Sequence, residues 1–70
     1  MLKYKLGQEF ILNQDVDFVT STVNIEATKG SEIQIIEIDN SDYDLPYKVF
    51  FDEASNWIFL SENELEDLIK

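Results

Sequence analysis

Alternation of apolar and polar residues constrains the fold of this chain more than any other feature. Residues 32–35 alternate strictly, and residues 36–38 alternate in the opposite phase. One extra residue in a strand, a β-bulge, produces this change of phase. Residues 47–51 and 57–60 also have strand periodicity, and the polar residues between them suit the turn of a hairpin. The second half of the chain therefore predicts three strands, of which the last two form an antiparallel hairpin.

The first half of the chain predicts shorter strands. Apolar residues alternate with lysine over residues 2–6, and residues 10–12 form a second extended piece. A threonine-rich, β-branched stretch predicts one further strand across residues 19–25. Lys29 and Gly30 predict a turn before the strand that starts at residue 32. All of these segments are extended, so the chain is predicted to be mainly β.

The last ten residues carry the signals of a helix start. Ser61 and Glu64 form an S-x-x-E capping box, and Leu60 and Leu65 are spaced as a hydrophobic staple. The helix is therefore predicted to begin at Glu62. Its apolar residues are expected to pack on the sheet and its acidic residues to face water, that is Leu65, Leu68 and Ile69 on one side and Glu62, Glu64, Glu66 and Asp67 on the other.

Several of these segments together carry a family resemblance. Gly7 precedes the first core strand, Lys29 and Gly30 precede an isoleucine-rich strand, residues 47–52 read Tyr-Lys-Val-Phe-Phe-Asp, and Trp57 is followed by the helix start at 61–65. In this arrangement residues 7–66 resemble the small SH3-like barrels common in phage and mobile-element proteins. The resemblance implies one domain, residues 1–70, folded as a small antiparallel barrel of four or five strands with a short C-terminal helix.

The charge of the chain limits its partners. Fifteen Asp and Glu stand against five lysines, for a net charge of −10, while 44% of the residues are apolar. The apolar content excludes an acidic disordered tail, so the charge belongs to a folded domain. Residues 31–70 hold eleven carboxylates and two lysines. Such a surface repels nucleic acid and anionic membranes and predicts a basic protein surface as its partner.

Catalytic and metal chemistry find little support in the sequence. The chain has no histidine and no cysteine, so a nucleophile would lack its usual base. The polar loop at residues 39–44 lacks the glycine and the bidentate glutamate of a calcium loop, which favours a solvated turn over a weak cation site. No apolar run approaches the roughly 20 residues of a membrane span. We expect a cytoplasmic protein that is not an enzyme and holds no cofactor or metal.

The spacing of the carboxylates suggests a more specific role. Alternate residues of a strand lie about 6.6 Å apart on one face, a repeat comparable to that of successive phosphates. A rigid display of such charge predicts an inhibitor that occupies the basic, nucleic-acid-binding surface of a host protein, the kind of role that the resemblance to phage-borne barrels also implies. The residues predicted to contact the partner are Glu37, Asp39, Asp42, Asp44, Asp52, Glu53, Glu62, Glu66 and Asp67.

Two further expectations follow from the same residues. The aromatic strand faces, which include Tyr47 and Trp57, leave open an alternative function as a structural or adaptor module or as a homo-oligomer. For these two side chains, packing in the core or on a sheet face is the favoured interpretation. Repulsion among the carboxylates is expected to raise their pKa values. Stability is then expected to increase as the pH falls from about 7 toward about 5.

Overall fold

Six strands and one helix make up the part of the chain that the computed structural model describes, residues 2–41 and 44–70. The predicted mainly-β class and the C-terminal helix are confirmed. In chain order the elements are β1 (Glu9–Ile11), β2 (Val16–Val19), β3 (Asn24–Ala27), β4 (Glu32–Ile38), β5 (Tyr47–Phe51), β6 (Asn56–Leu60) and α1 (Glu62–Ile69).

The second half of the chain, together with β1, forms the main sheet, in the strand order β1-β4-β5-β6 with all pairs antiparallel. Ile35 lies opposite Val49 and Glu37 lies opposite Lys48, so Ile36 is the inserted residue of a bulge. The phase change at this point of the sequence is therefore confirmed as a bulge. The turn between β5 and β6 holds Ser55 at a positive φ of 51°, which closes the predicted hairpin.

The first half of the chain departs from its prediction in two places. Residues 2–8 form no strand, although Tyr4 is buried. Residues 19–25 do not form one strand either, because the chain reverses there, with the Thr20 N–H donating to the Val23 carbonyl at 2.7 Å. The reversal joins β2 and β3 into a separate two-stranded hairpin.

The expected small barrel of four or five strands is confirmed only in part by the described residues. Six strands form two antiparallel sheets that do not close on each other. The reason lies in the pairing, since β2 and β3 bond only to each other and leave β1 and β6 as the edges of the main sheet. The hairpin instead packs through side chains, with the rings of Phe18 and Phe51 5.9 Å apart, edge to face.

The core lies between the main sheet, the hairpin and α1. It is built from the inward-facing side chains of β4 and β5, with Leu12, Val16, Ile25, Ala27 and the helix. Tyr47 is completely buried, which confirms the packing interpretation of this residue. The largest fully buried side chains are Tyr47, Phe51, Leu12, Ile25, Ile33, Ile35, Leu60 and Leu65.

Helix α1 is fixed at both ends. At its start Ser61 and Glu64 form both hydrogen bonds of the predicted capping box, at 3.1 and 3.0 Å. At its end the loop after β1 supplies donors to carbonyl groups that the helix leaves unbonded. The Asn13 N–H donates to the Leu68 carbonyl at 2.8 Å, and the Gln14 side chain donates to the Asp67 carbonyl at 2.8 Å.

Candidate interaction surfaces

Acidic side chains from distant parts of the chain line two depressions of the surface. A depression of about 410 Å³ is lined by Asp15, Asp17, Glu26 and Glu53, and a smaller one of about 120 Å³ by Glu9, Glu32 and Asp52. The two depressions flank the turn between β5 and β6, where Asp52 and Glu53 are neighbours. We call these seven residues the acidic end; all of them are exposed.

The closest like charges of the acidic end belong to the β2–β3 hairpin. Asp17 lies directly opposite Glu26. The bond between Thr20 and Val23 fixes the alternation of the ladder and makes this a non-hydrogen-bonded pair. In such pairs the Cα atoms are only about 4.5 Å apart, and like charges placed directly opposite are destabilising. The hairpin therefore holds two carboxylates together against their repulsion.

Two carboxylates of the acidic end are held by hydrogen bonds. Glu53 accepts from both the N–H and the hydroxyl of Thr28, each at 2.9 Å. These bonds favour the ionised carboxylate and lower the pKa of Glu53. Asp15 accepts from the Lys29 N–H at 2.8 Å. These hydrogen bonds hold both side chains in fixed positions.

Lysine neutralises very little of the acidic surface. Within residues 2–41 and 44–70 there are three ion pairs, which join Lys3 and Lys70 to Glu66 and Lys48 to Glu37. No lysine pairs with a residue of the acidic end in this part of the chain. Its charge is therefore available to a partner.

The helix side uses its carboxylates differently. Glu62 accepts hydrogen bonds from the Lys3 N–H at 2.8 Å and from the Tyr47 hydroxyl at 3.1 Å, and that hydroxyl accepts from the Tyr4 N–H at 3.1 Å. The Lys3 ammonium contacts Glu66 at 2.5 Å. We call Lys3, Tyr4, Tyr47, Glu62 and Glu66 the N-terminal clasp. The expectation that Glu62 and Glu66 face water is wrong, because both are half-buried and bonded to the segment before β1.

These contacts shift the pKa values of the clasp. The hydrogen bond from Lys3 lowers the pKa of Glu66, and the same bond raises the pKa of Lys3. Burial raises the pKa values of Tyr4 and Tyr47, because a phenolate would lose its solvation. The clasp is thus most favourable with its acid ionised, its lysine charged and its phenols neutral.

The remaining predicted contact residues are dispersed. Glu37 lies 3.7 Å from the Lys48 ammonium, and Asp39 accepts from the N–H and hydroxyl of Ser41 at 3.0 and 2.6 Å. Asp44 and Asp67 are exposed, and Asp42 lies outside the described residues. Of the nine predicted residues, only Asp52 and Glu53 belong to the acidic end.

Sequence reasoning missed five members of the acidic end, namely Glu9, Asp15, Asp17, Glu26 and Glu32. The signal for two of them was present in Thr20-Ser21-Thr22, a polar run that favours a turn over a strand. A hairpin centred there pairs Asp17 with Glu26 at once. A single strand across residues 19–25 keeps them apart.

A second candidate surface is aromatic. Phe50, Trp57 and Phe59 lie on the outer face of the main sheet, and Trp57 is 40% exposed. The Trp57 and Phe59 rings pack edge to face at 5.7 Å, and the Lys48 ammonium lies 4.0 Å from the centre of the indole ring. Trp57 is therefore less buried than the favoured packing interpretation predicts.

Comparison with known proteins adds no relative. No protein-family model, characterised protein or solved structure matches the chain. Across the described residues, no group of three or more Asp, Glu, His or Cys side chains is arranged to hold a metal ion. In the same part of the chain, α1 is the helix present, and it is too short and too polar to cross a membrane.

Proposed function

We propose that this protein is a non-enzymatic, acidic binding protein that occupies the basic, nucleic-acid-binding surface of another protein and blocks it. The observation that supports this function best is the acidic end. Seven exposed carboxylates from separate parts of the chain line its two depressions, and no lysine of the described residues pairs with them. The direct opposition of Asp17 and Glu26 adds to it, since a cationic partner would relieve their repulsion.

The proposal also includes a structural class, the SH3-like modules, and a cellular location, the cytoplasm. The sequence of residues 7–66 resembles the small SH3-like barrels, although the main sheet is open. An SH3-like module of phage or mobile-element origin, acting in the cytoplasm on a host protein, is the class that we propose. Release of counterions from this chain's acidic surface would then contribute to binding, as release from nucleic acid does.

The aromatic face supports an alternative function. Trp57 is 40% exposed beside Phe59 and Phe50, and exposed tryptophan is a frequent anchor of protein interfaces. An adaptor or homo-oligomeric module would bind through this face, with the charge serving only solubility. Salt distinguishes the two functions, because screening weakens electrostatic binding and leaves apolar contacts nearly unchanged.

The test compares two double variants that each remove two negative charges. Asp17→Asn with Glu26→Gln removes the two opposed negative charges of the β2–β3 hairpin. Glu64→Gln with Asp67→Asn neutralises the helix surface, and glutamine at position 64 keeps the capping box. Each variant and the parent are immobilised, and proteins captured from a bacterial lysate are eluted in a salt gradient.

The expected result is specific to the hairpin variant. Its captured protein should elute at lower salt than from the parent, while the helix variant should match the parent. The captured protein should also release this chain when DNA or RNA is added, because both ligands use the same basic surface. Simultaneous binding of nucleic acid, or equal elution from all three, would show that the proposed function is wrong.

A further inference from the structure

The outer edge of β6 is poorly protected against pairing with another strand. β6 bonds to β5, and no strand of the described residues bonds to its other side. Natural edge strands are usually shielded by charged residues, proline, bulges or a covering element. Residues 56–60 read Asn-Trp-Ile-Phe-Leu and pair with β5 in unbroken register, so they carry no charge, proline or bulge.

Hydrogen bonding shows which backbone groups point to this edge. The Asp52 N–H donates to the Glu32 carbonyl at 3.1 Å, which fixes the alternation of bonds along β5 and hence along β6. It follows that Trp57 and Phe59 direct their N–H and C=O groups away from β5. The Trp57 N–H is bonded to the side chain of Asn56 at 2.9 Å, a contact within its own strand.

The same two residues place rings beside the edge. The Trp57 and Phe59 side chains lie on the outer face, and the Lys48 ammonium covers one side of the indole while also facing Glu37 at 3.7 Å. Lys48 thereby holds the indole in place while 40% of Trp57 remains exposed. A strand added to β6 would pack its own apolar side chains against these rings.

Charge at the two ends of β6 selects the occupant. Asp52 and Glu53 precede the strand, and Glu62, the first residue of α1, follows it. The five uncharged residues of β6, about 17 Å of extended chain, therefore have acidic residues before and after them. A partner strand fits best with apolar residues at its centre and lysine or arginine at both ends.

We propose that β6 is a docking edge, onto which an extended basic segment of the partner adds as a further strand of the main sheet. This inference rests on the proposed function for the sign of the partner's charge. A second copy of the chain fits poorly, since each copy carries a net charge of −10. Pairing the β6 strands of two copies, parallel or antiparallel, would also bring the acidic residues that flank each strand close together.

The probe is a synthetic peptide, Lys-Lys-Thr-Val-Thr-Val-Thr-Lys-Lys, titrated into the full chain. Trp57 is the only tryptophan, so its fluorescence reports directly on the edge. Two further peptides keep the charge but are N-methylated at the two valines or at two threonines. A fourth peptide carries glutamate in place of lysine, and sedimentation measures the oligomeric state of the protein alone.

In an added strand the N–H groups of alternate residues point to opposite sides, so either the valine or the threonine N–H groups face β6, but not both. One N-methylated peptide should therefore bind about tenfold more weakly or worse, while the other binds nearly as the parent does. The parent peptide should shift the Trp57 emission. Because these changes are made in the peptide, the outcome does not depend on a protein variant that folds.

Three other outcomes would each contradict the docking edge, the proposed function or the choice of partner. Salt-sensitive binding of the lysine peptides, with no Trp57 response and no difference between the N-methylated pair, would show that the docking edge is wrong while the proposed function stands. Equal binding of the glutamate peptide would instead contradict the proposed function. A dimer of the parent protein that Phe59→Lys converts to a monomer would show that a second copy covers β6.

Discussion

The N-terminal clasp and the acidic end use the same chemical group in opposite ways. In the clasp, Glu62 and Glu66 receive hydrogen bonds from Lys3 and Tyr47 and tie the start of the chain to the helix. In the acidic end, Asp17 and Glu26 oppose each other with no lysine between them. Glu62 and Glu66 thus serve structure, whereas Asp17 and Glu26 keep their charge available for binding.

The strongest test of the clasp is Tyr47→Phe, which removes the hydroxyl between Tyr4 and Glu62. Loss of that oxygen leaves the Tyr4 N–H, a buried donor, without its partner, so the free energy of unfolding should fall by about 1–3 kcal/mol. Urea denaturation measures the change. A double-mutant cycle with Glu62→Gln should show strong coupling, whereas simple additivity would mean that the clasp contributes no shared network.

Charge reversal gives the next effect and has a matched control. Lys3→Glu would place a negative charge against Glu66 and beside Glu62, so the melting temperature should fall. Lys5→Glu changes the net charge equally, but the Lys5 ammonium forms none of the ion pairs of the described residues. It should therefore change the melting temperature little. Equal losses in the two variants would assign the effect to net charge rather than to the clasp.

The dependence of the free energy of unfolding on pH should be set by the carboxylates that accept hydrogen bonds in the fold. The pKa values of Glu53 and Glu66 are lowered from 4.5 in the fold, so the native state binds their protons less tightly than the unfolded chain. Their contribution is complete above pH 4.5 and is lost as the pH falls below it. For these two groups this direction is opposite to the one expected from charge repulsion alone.

Unfolding at a series of pH values measures this effect. Glu53→Gln should flatten part of the acid limb, because glutamine does not titrate, and Asp67→Asn serves as an exposed control. The pKa values of Tyr4, Tyr47 and Lys3 are raised, so their contribution should be lost above pH 10 as the groups deprotonate. A rise in stability between pH 7 and 4.5 would instead restore the repulsion model.

Local signals in the sequence determined much of the fold. The capping box at Ser61, the bulge at Ile36 and the hairpin that ends at Leu60 all depend on residues close together in the chain, and each was predicted. The failures involve choices that local pattern leaves open. Residues 2–6 alternate like a strand, yet Tyr4 is held by Tyr47, 43 residues away.

The candidate site was less predictable for the same reason. Asp52 and Glu53 were identified because they lie in a recognisable turn. Glu9 and Glu32 come together with Asp52 only through the pairing of β1, β4 and β5, and this register is not visible in the sequence. Composition gave the sign of the surface, and tertiary structure decided where its charge is concentrated.

The smallest expected effect tests the acidic end directly. Asp17→Lys replaces a repulsive pair with Glu26 by an attractive one, so the free energy of unfolding should rise by about 0.2–1 kcal/mol while binding to a basic partner weakens. Glu9→Lys makes the same change of charge at the same end, but the residue directly opposite it is Gln34, so a smaller stabilisation is expected. Urea denaturation at low and high salt separates the two variants, since screening should shrink the difference between them. If both variants stabilise the fold equally, the repulsion acts over the whole surface, and Asp17 and Glu26 are not a specific pair.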